Sequence, residues 1–333
     1  DYDPVFDAEI PKAPPPPQRA TTLDYPIITF GDESGVRQKR VSGEQRPLKV
    51  ALEVLQGDEF IAPVLQDLLS EGGCAGIIVN TVERAQKIAQ TLSRCFGDDC
   101  VKLLHARFLA LDRAQKEKAL FDTLGKDGKR PDRCIVVGTQ VFEQSCDLDF
   151  DVLITDICPM DLLIQRIGRL HRHERDRRER VAEPRCYILG MTDSGFDRGS
   201  EFIYGKYLLM NTRALLESNF QSNIRSITLP GDIPTLVQAA YNPDGVALPP
   251  EFQAEYEEAK EKHKHCIEGK ENKAAAYQIS DPYNGRGDLI GWLNTSIDDP
   301  SGKRGEATVR DTDVSLEVLV VQKRGDANLQ RNI

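Results

Sequence analysis

Between about residues 57 and 195 short apolar runs alternate with longer stretches whose apolar positions return at helical spacing. Residues 76–80, 101–104, 134–138, 152–155 and 185–189 read as strands buried on both faces. After the first of them, Val82, Ala85, Ala89, Leu92 and Phe96 line one helical stripe. Farther on, Asp112 and Gln115 stand at capping-box spacing ahead of Leu120, Phe121 and Leu124. This alternation predicts an α/β fold, a parallel sheet sandwiched by helices, with functional loops beyond the carboxyl ends of the strands.

The flanks carry other patterns. Residues 1–24 contain Pro14 to Pro17 and read as an extended linker. Runs at 26–30, 36–41 and 48–54 predict an antiparallel β meander. Past residue 196 the alternation stops. A long helix is expected over 202–220 with Tyr204, Leu208, Leu215 and Leu216 as apolar contacts, then a short one over 234–241 and an exposed, Glu- and Lys-rich one over 250–275. His263 and His265 in the last read as solvated, and 307–310 with 314–322 read as a hairpin turning at 311–313. The expected division is therefore a linker (1–24), a main α/β domain with an N-terminal meander (25–195), a helical linker (196–245) and a small α+β C-terminal accessory domain (246–333).

The stretch Gln165-Arg166-Ile167-Gly168-Arg169-Leu170-His171-Arg172-His173 carries the most chemistry. Pro159 and Asp161 give a helix start, and a helix over 162–172 would set Gln165, Arg169 and Arg172 on one face at i, i+4 and i+7. Leu163, Ile167 and Leu170 would dock the opposite face on a core, with Gly168 admitting another backbone. Arginine suits a triphosphate because its planar, permanent cation binds phosphate oxygens two at a time. The alternating charges from His173 to Arg180 fit a solvated segment.

Composition narrows the classes. A net charge of −10 argues against indiscriminate nucleic-acid binding but leaves room for a local basic track. No apolar run approaches a membrane span and no secretory signal is visible, so the expected compartment is the cytoplasm, without a membrane partner. The eight cysteines form no CxxC pair and read as reduced, buried thiols.

Polar residues follow the strands: Asn80 and Thr81 after the first, His105 and Arg107 after the second, Thr139 and Gln140 after the third. Each fits a phosphate or sugar contact, or a cap on a strand end or helix start. The segment from Gly138 to Asp151, Gly-Thr-Gln-Val-Phe-Glu-Gln-Ser-Cys-Asp-Leu-Asp-Phe-Asp, resembles the fifth helicase motif, and Gln165 to Arg172 the sixth. Asn80-Thr81-Val82 and the stretch from Leu104 to Phe108 resemble the fourth and its companion. Together, in this order, they resemble the second RecA-like domain of superfamily two helicases, and within it the type I CRISPR-associated helicase–nuclease. The likeness is strong over roughly 70–190 and weaker to the end, where Ile227-Thr228-Leu229-Pro230 is similar to that family's linker.

The resemblance implies arginine fingers at Arg169 and Arg172, nucleotide contact by Gln165, and support of the interdomain cleft by Arg166, which is grouped with the nucleotide-binding residues. Asp147 would sense the ribose or couple nucleotide to strand. Asn80, Thr81, His105, Arg107, Thr139 and Gln140 would face single-stranded DNA. The implied cofactors are ATP and Mg2+. The chain carries no GxxxxGK[ST] loop, no DExH motif and no histidine–aspartate cluster for nuclease metals. ATP and Mg2+ would therefore be bound mainly by a first RecA-like domain, and nuclease metals by a nuclease domain, both outside this chain. Further implied partners are single-stranded DNA and the RNA-guided CRISPR surveillance complex. The expected function is that of the C-terminal portion of an antiviral ATP-dependent DNA translocase and nuclease, inactive in isolation. The alternatives are a non-catalytic DNA-binding or docking module, or part of another superfamily two DNA or RNA helicase.

Overall fold

A seven-stranded sheet organises the described part of the chain. In chain order its strands and covering helices are β3 (Leu48–Val54), α1 (Ile61–Leu68), β4 (Gly73–Ile78), α2 (Val82–Phe96), β5 (Val101–Leu104), α3 (Ala110–Leu124), β6 (Arg133–Gly138), β7 (Val152–Asp156), α4 (Met160–Ile167) and β8 (Arg185–Leu189). Then follow α5 (Arg198–Tyr204), α6 (Lys206–Asn219), β9 (Ser226–Leu229), α7 (Ile233–Ala240) and α8 (Gln253–Ala276). Ahead of them lies a hairpin of β1 (Ile27–Asp32) and β2 (Gly35–Arg40), and near the end a short one of β10 (Gln322–Arg324) and β11 (Asn328–Gln330). The structure is a computed structural model that describes residues 25–32, 35–41, 46–143, 147–191, 195–219, 226–242, 244, 246–276, 322–324 and 328–330. The chain divides into two units, Asp1–Glu261 and Lys262–Ile333.

The strand order is β5-β6-β4-β7-β8-β3-β9, parallel throughout except for the antiparallel edge strand β9. Alternation along each strand separates two cores. Ile77, Val137, Ile154 and Tyr187 meet α1 and α2, whereas Ile78, Val136, Leu153 and Ile188 meet α3, α4 and α7. Both faces are thus covered, which is why the central strands have continuous apolar sequences. The α/β sandwich read from the sequence is the fold observed. A third cluster, Tyr207 and Met210 of α6 with Tyr256 and Ala259 of α8, packs within the first unit.

Several local expectations change. The predicted meander is a two-stranded hairpin, since β3 leaves it to pair in parallel with β8. The long helix over 202–220 is two helices, broken at Gly205, whose φ of 79° is a conformation open to glycine. The stretch 226–229, expected in a helical linker, adds β9 to the main sheet. Asp112 lies in the first turn of α3 and does not cap it; the N-cap is Leu109. Four cysteines are buried, but Cys95 and Cys266 are exposed and Cys100 is intermediate. Residues 1–24, Cys146 and the hairpin expected from 307–310 and 314–322, all but Gln322, lie outside the described residues.

Candidate nucleotide and strand site

Strand register gathers the polar loops. Gly138 of β6 is paired with Ile78 of β4 on one side and Leu104 of β5 on the other, and Ile78 is paired with Thr155 of β7. The residues that follow, Asn80, His105, Thr139 and Asp156, therefore leave the sheet along one carboxyl edge. Gly138 is required there by close approach: a Cβ would lie 2.1 Å from the Phe142 ring and 2.5 Å from the Leu104 carbonyl oxygen.

At this edge Arg166 is fully buried, with 0 % exposure. Its Nε and Nη2 donate to Glu143 Oε1 at 2.8 and 2.6 Å, and its Nη1 to Thr155 Oγ1 at 2.8 Å and the Asp156 carbonyl at 3.2 Å. Nη2 also reaches Asn80 Oδ1 and the Tyr204 hydroxyl, each at 3.0 Å. Burial works against the charge, but the surrounding Cys158, Tyr204 and Glu143 hold the guanidinium pKa above its ordinary value. Burial raises the Glu143 carboxyl pKa, and Arg166 opposes that shift. A cation so enclosed, with its donors directed inward, fixes the surrounding segments to one another. Arg166, grouped with the nucleotide-binding residues from the sequence, lies beneath the surface of this edge.

The residues assigned to the strand fall into two sets. Arg107 is exposed, while Thr81 and Gln140 are half-buried. Thr81 Oγ1 accepts from the Arg84 amide and caps α2, and Gln140 Nε2 donates to the Asn80 carbonyl at 2.9 Å and Tyr204 hydroxyl at 3.0 Å. Asn80, His105 and Thr139 are buried. The Asn80 amide is used inside the protein, donating to the Ile157 carbonyl and Ser200 Oγ. His105 stacks on Phe108 at 4.2 Å, with the Lys116 ammonium over the other ring. These three side chains, expected from sequence to face the strand, lie inside the loops.

The predicted single face of Gln165, Arg169 and Arg172 is also corrected. Helix α4 ends at Ile167, and beyond Gly168 the chain turns alongside Phe150: the Phe150 amide donates to the Arg169 carbonyl, and the His171 amide to the Phe150 carbonyl. His171 takes a left-handed backbone with φ 44°. Among the described residues no second backbone packs on Gly168; a side chain there would meet its own helix's Gln165 and Ile164 carbonyls. Gln165 is exposed at the end of α4. Arg169 donates to the Phe142 and Glu143 carbonyls at 3.1 and 3.0 Å, and Arg172 pairs with Asp147. The side chains of Arg172 and Asp147 are 40 % and 46 % exposed. Burial opposes ionisation of Asp147, but the Arg172 hydrogen bond, with His173 and Arg169 nearby, holds its carboxyl below the usual range.

Four residues close in sequence, Gln140, Phe142, Glu143 and Asp147, therefore touch both sets. Gln140 holds the Asn80 loop, the Glu143 carboxylate holds Arg166, the Phe142 and Glu143 carbonyls hold Arg169, and Asp147 holds Arg172.

The charged run after His173 is not solvated throughout. Arg175 and Arg177 turn inward with Arg130 onto the buried carboxylates of Asp149 and Asp151. Glu143, Thr155, Ser200 and Tyr204 also take polar roles that their sequence context does not announce. Glu143 lies inside the stretch that resembles the fifth helicase motif, whereas Tyr204 has the spacing of an apolar helix contact, and no local signal distinguishes the two uses of a tyrosine.

The family model for the C-terminal part of the CRISPR-associated nuclease/helicase Cas3 matches residues 71–175. The chain is 41% identical over 310 residues to the CRISPR-associated nuclease/helicase Cas3 of Streptococcus thermophilus, covering 91% of this chain and 33% of that protein. It is 36% identical over 261 residues to the Cas3 of Thermus thermophilus, covering 65% and 27% respectively. The chain thus spans about a third or less of these relatives. Among solved structures it is similar to a CRISPR-associated protein at TM-score 0.68 and 33% identity, covering 81% of this chain and 30% of that one. It is also similar to T. fusca Cas3-ATP, at 0.64 and 29%, covering 76% and 31%. A chain in a pre-nicking CRISPR RNA-guided surveillance complex matches at 0.62 and 28%, covering 76% and 33%. The family model, the relatives and the solved structures together place the chain in the CRISPR-associated nuclease/helicase Cas3 family, in its C-terminal helicase portion.

Proposed function

We propose that the chain is one jaw of an ATP-driven single-stranded DNA translocase, working with a first RecA-like domain and a nuclease domain and serving the degradation of foreign DNA. The observation that carries this reading is the set of contacts made by Gln140, Phe142, Glu143 and Asp147. These reach the loop assigned to the strand, the buried Arg166 and both candidate fingers.

Gln165 and Arg172 are exposed and Arg169 is half-buried, and their polar groups suit an anion. ATP supplies the reacting phosphates when bound, with Mg2+ and most contacts coming from the first domain. From this side Gln165 would orient the nucleotide, and Asp147 would hold Arg172 until the phosphates compete for it. Arg169 and Arg172 would then meet the charge that develops on the γ-phosphate. Withdrawal of Arg172 from Asp147, or of Arg169 from the Phe142 and Glu143 carbonyls, would move a segment that also holds Gln140 and Asn80. Closure on ATP is thereby converted into a changed grip on DNA. The surveillance complex is the proposed source of the DNA, supported by the likeness to the chain seen in such a complex.

The test is ATP hydrolysis by the full-length protein with no nucleic acid, with single-stranded DNA and with RNA. Stimulation by DNA above RNA is expected, with no turnover by residues 1–333 alone. Hydrolysis indifferent to DNA would contradict the reading.

A further inference from the structure

Helix α5 lies beyond the stretch that matches the family model, yet it touches the site at both ends. At its start the Asp197 carboxylate accepts from the Ser200 amide at 3.0 Å and from the Ser200 hydroxyl, which in turn accepts from Asn80 Nδ2 at 2.7 Å. Gly199 sits so close to the same loop that a Cβ would fall 2.5 Å from Thr81 Cγ2. At its end the Tyr204 hydroxyl lies 3.0 Å from both Arg166 Nη2 and Gln140 Nε2. Both nitrogens are donors, so the hydroxyl oxygen accepts from each and links the guanidinium to the loop after β6.

We propose that Tyr204 is a positioning residue for DNA-coupled ATP hydrolysis, acting through Arg166 and Gln140. Its oxygen ties Arg166 to Gln140 beside the direct bonds that Gln140 and Arg166 each make to Asn80, and Ser200 braces Asn80 from the other end of the helix. Without the hydroxyl, Arg166 keeps Glu143, Thr155 and Asn80 as acceptors, so the fold and the fingers persist. What weakens is the link between them and the Gln140 loop. The inference rests on the translocase reading above.

The test uses the full-length protein carrying Tyr204→Phe. DNA-stimulated hydrolysis should fall about tenfold, in line with loss of one buried hydrogen-bond acceptor. Unstimulated hydrolysis and the KM for ATP should stay near wild type, and the thermal midpoint should fall by no more than about a few degrees. A double variant with Gln140→Ala should be no worse than Gln140→Ala alone. Ser200→Ala, which cuts the brace to Asn80 and leaves the tyrosine in place, should lower stimulation in the same sense. Wild-type stimulation in Tyr204→Phe would overturn the proposal, as would an equal fall in stimulated and unstimulated rates. If Tyr204→Phe does not fold, full stimulation in Ser200→Ala would overturn it. A wild-type enzyme that DNA does not stimulate would instead remove the translocase reading itself.

Discussion

Arg166 donates twice to a single oxygen of Glu143, through Nε at 2.8 Å and Nη2 at 2.6 Å, inside a site closed to solvent. Breaking a buried pair from one side leaves an uncompensated charge and costs about 3–5 kcal/mol. Arg166→Met should therefore lower the free energy of unfolding by about that much in urea titration. The double variant Arg166→Met with Glu143→Leu should recover part of the loss. A near-neutral Arg166→Met would show that the pair does not hold these segments together.

The arginine run should divide by direction. Arg175 and Arg177 meet the buried Asp149, and Arg177 also meets Asp151, whereas Arg178 and Arg180 pair with exposed Asp132 and Asp67. Alanine at either inward position should cost several kcal/mol, and at either outward position about 1 kcal/mol or less. Chemical unfolding of the four variants checks this, and equal losses across them would refute the inward cluster.

Acid stability should depend on His171. Burial, with Arg177 beside it, pushes its pKa down to about 4, although the backbone carbonyl of Asp151 and the carboxylates of Asp149 and Asp151 pull the other way. With the folded pKa below the ordinary 6.5, the unfolded chain binds the proton first. This contribution to stability is present above about pH 6.5 and is lost as pH falls towards 4. Asp156 acts in the opposite sense: burial raises its pKa to about 6, so the destabilisation present above that value is relieved as pH falls. Comparing His171→Gln with wild type isolates the histidine. The variant should lose less stability between pH 6.5 and 4, and parallel profiles would count against the assignment.

The sheet and its flanking helices were legible because buried parallel strands and amphipathic helices leave local periodicities, as at 101–104 and 185–189. The end of α4 was not. Leu163, Ile167 and Leu170 keep helical spacing, yet the chain departs at Gly168 because Phe150 offers Leu170 a bridge partner, a contact about twenty residues away in sequence. Likewise, the residue types around the site were readable and their orientations were not. Asn80 and Arg166 resemble surface ligands in sequence, but each satisfies the other inside the protein. Arg175 and Arg177 looked solvated because the carboxylates that draw them inward lie on a separate segment, at 149 and 151.

Arg169 and Arg172 are the groups proposed to act on a nucleotide presented by another domain. The direct measurement is single-stranded-DNA-stimulated ATP hydrolysis by full-length Arg169→Ala and Arg172→Ala, with nucleotide binding and thermal midpoint measured alongside. Each variant should lose roughly 10³-fold or more in turnover while still folding and binding ATP, as expected when a group that meets transition-state charge is removed. Wild-type turnover in both variants would contradict the account.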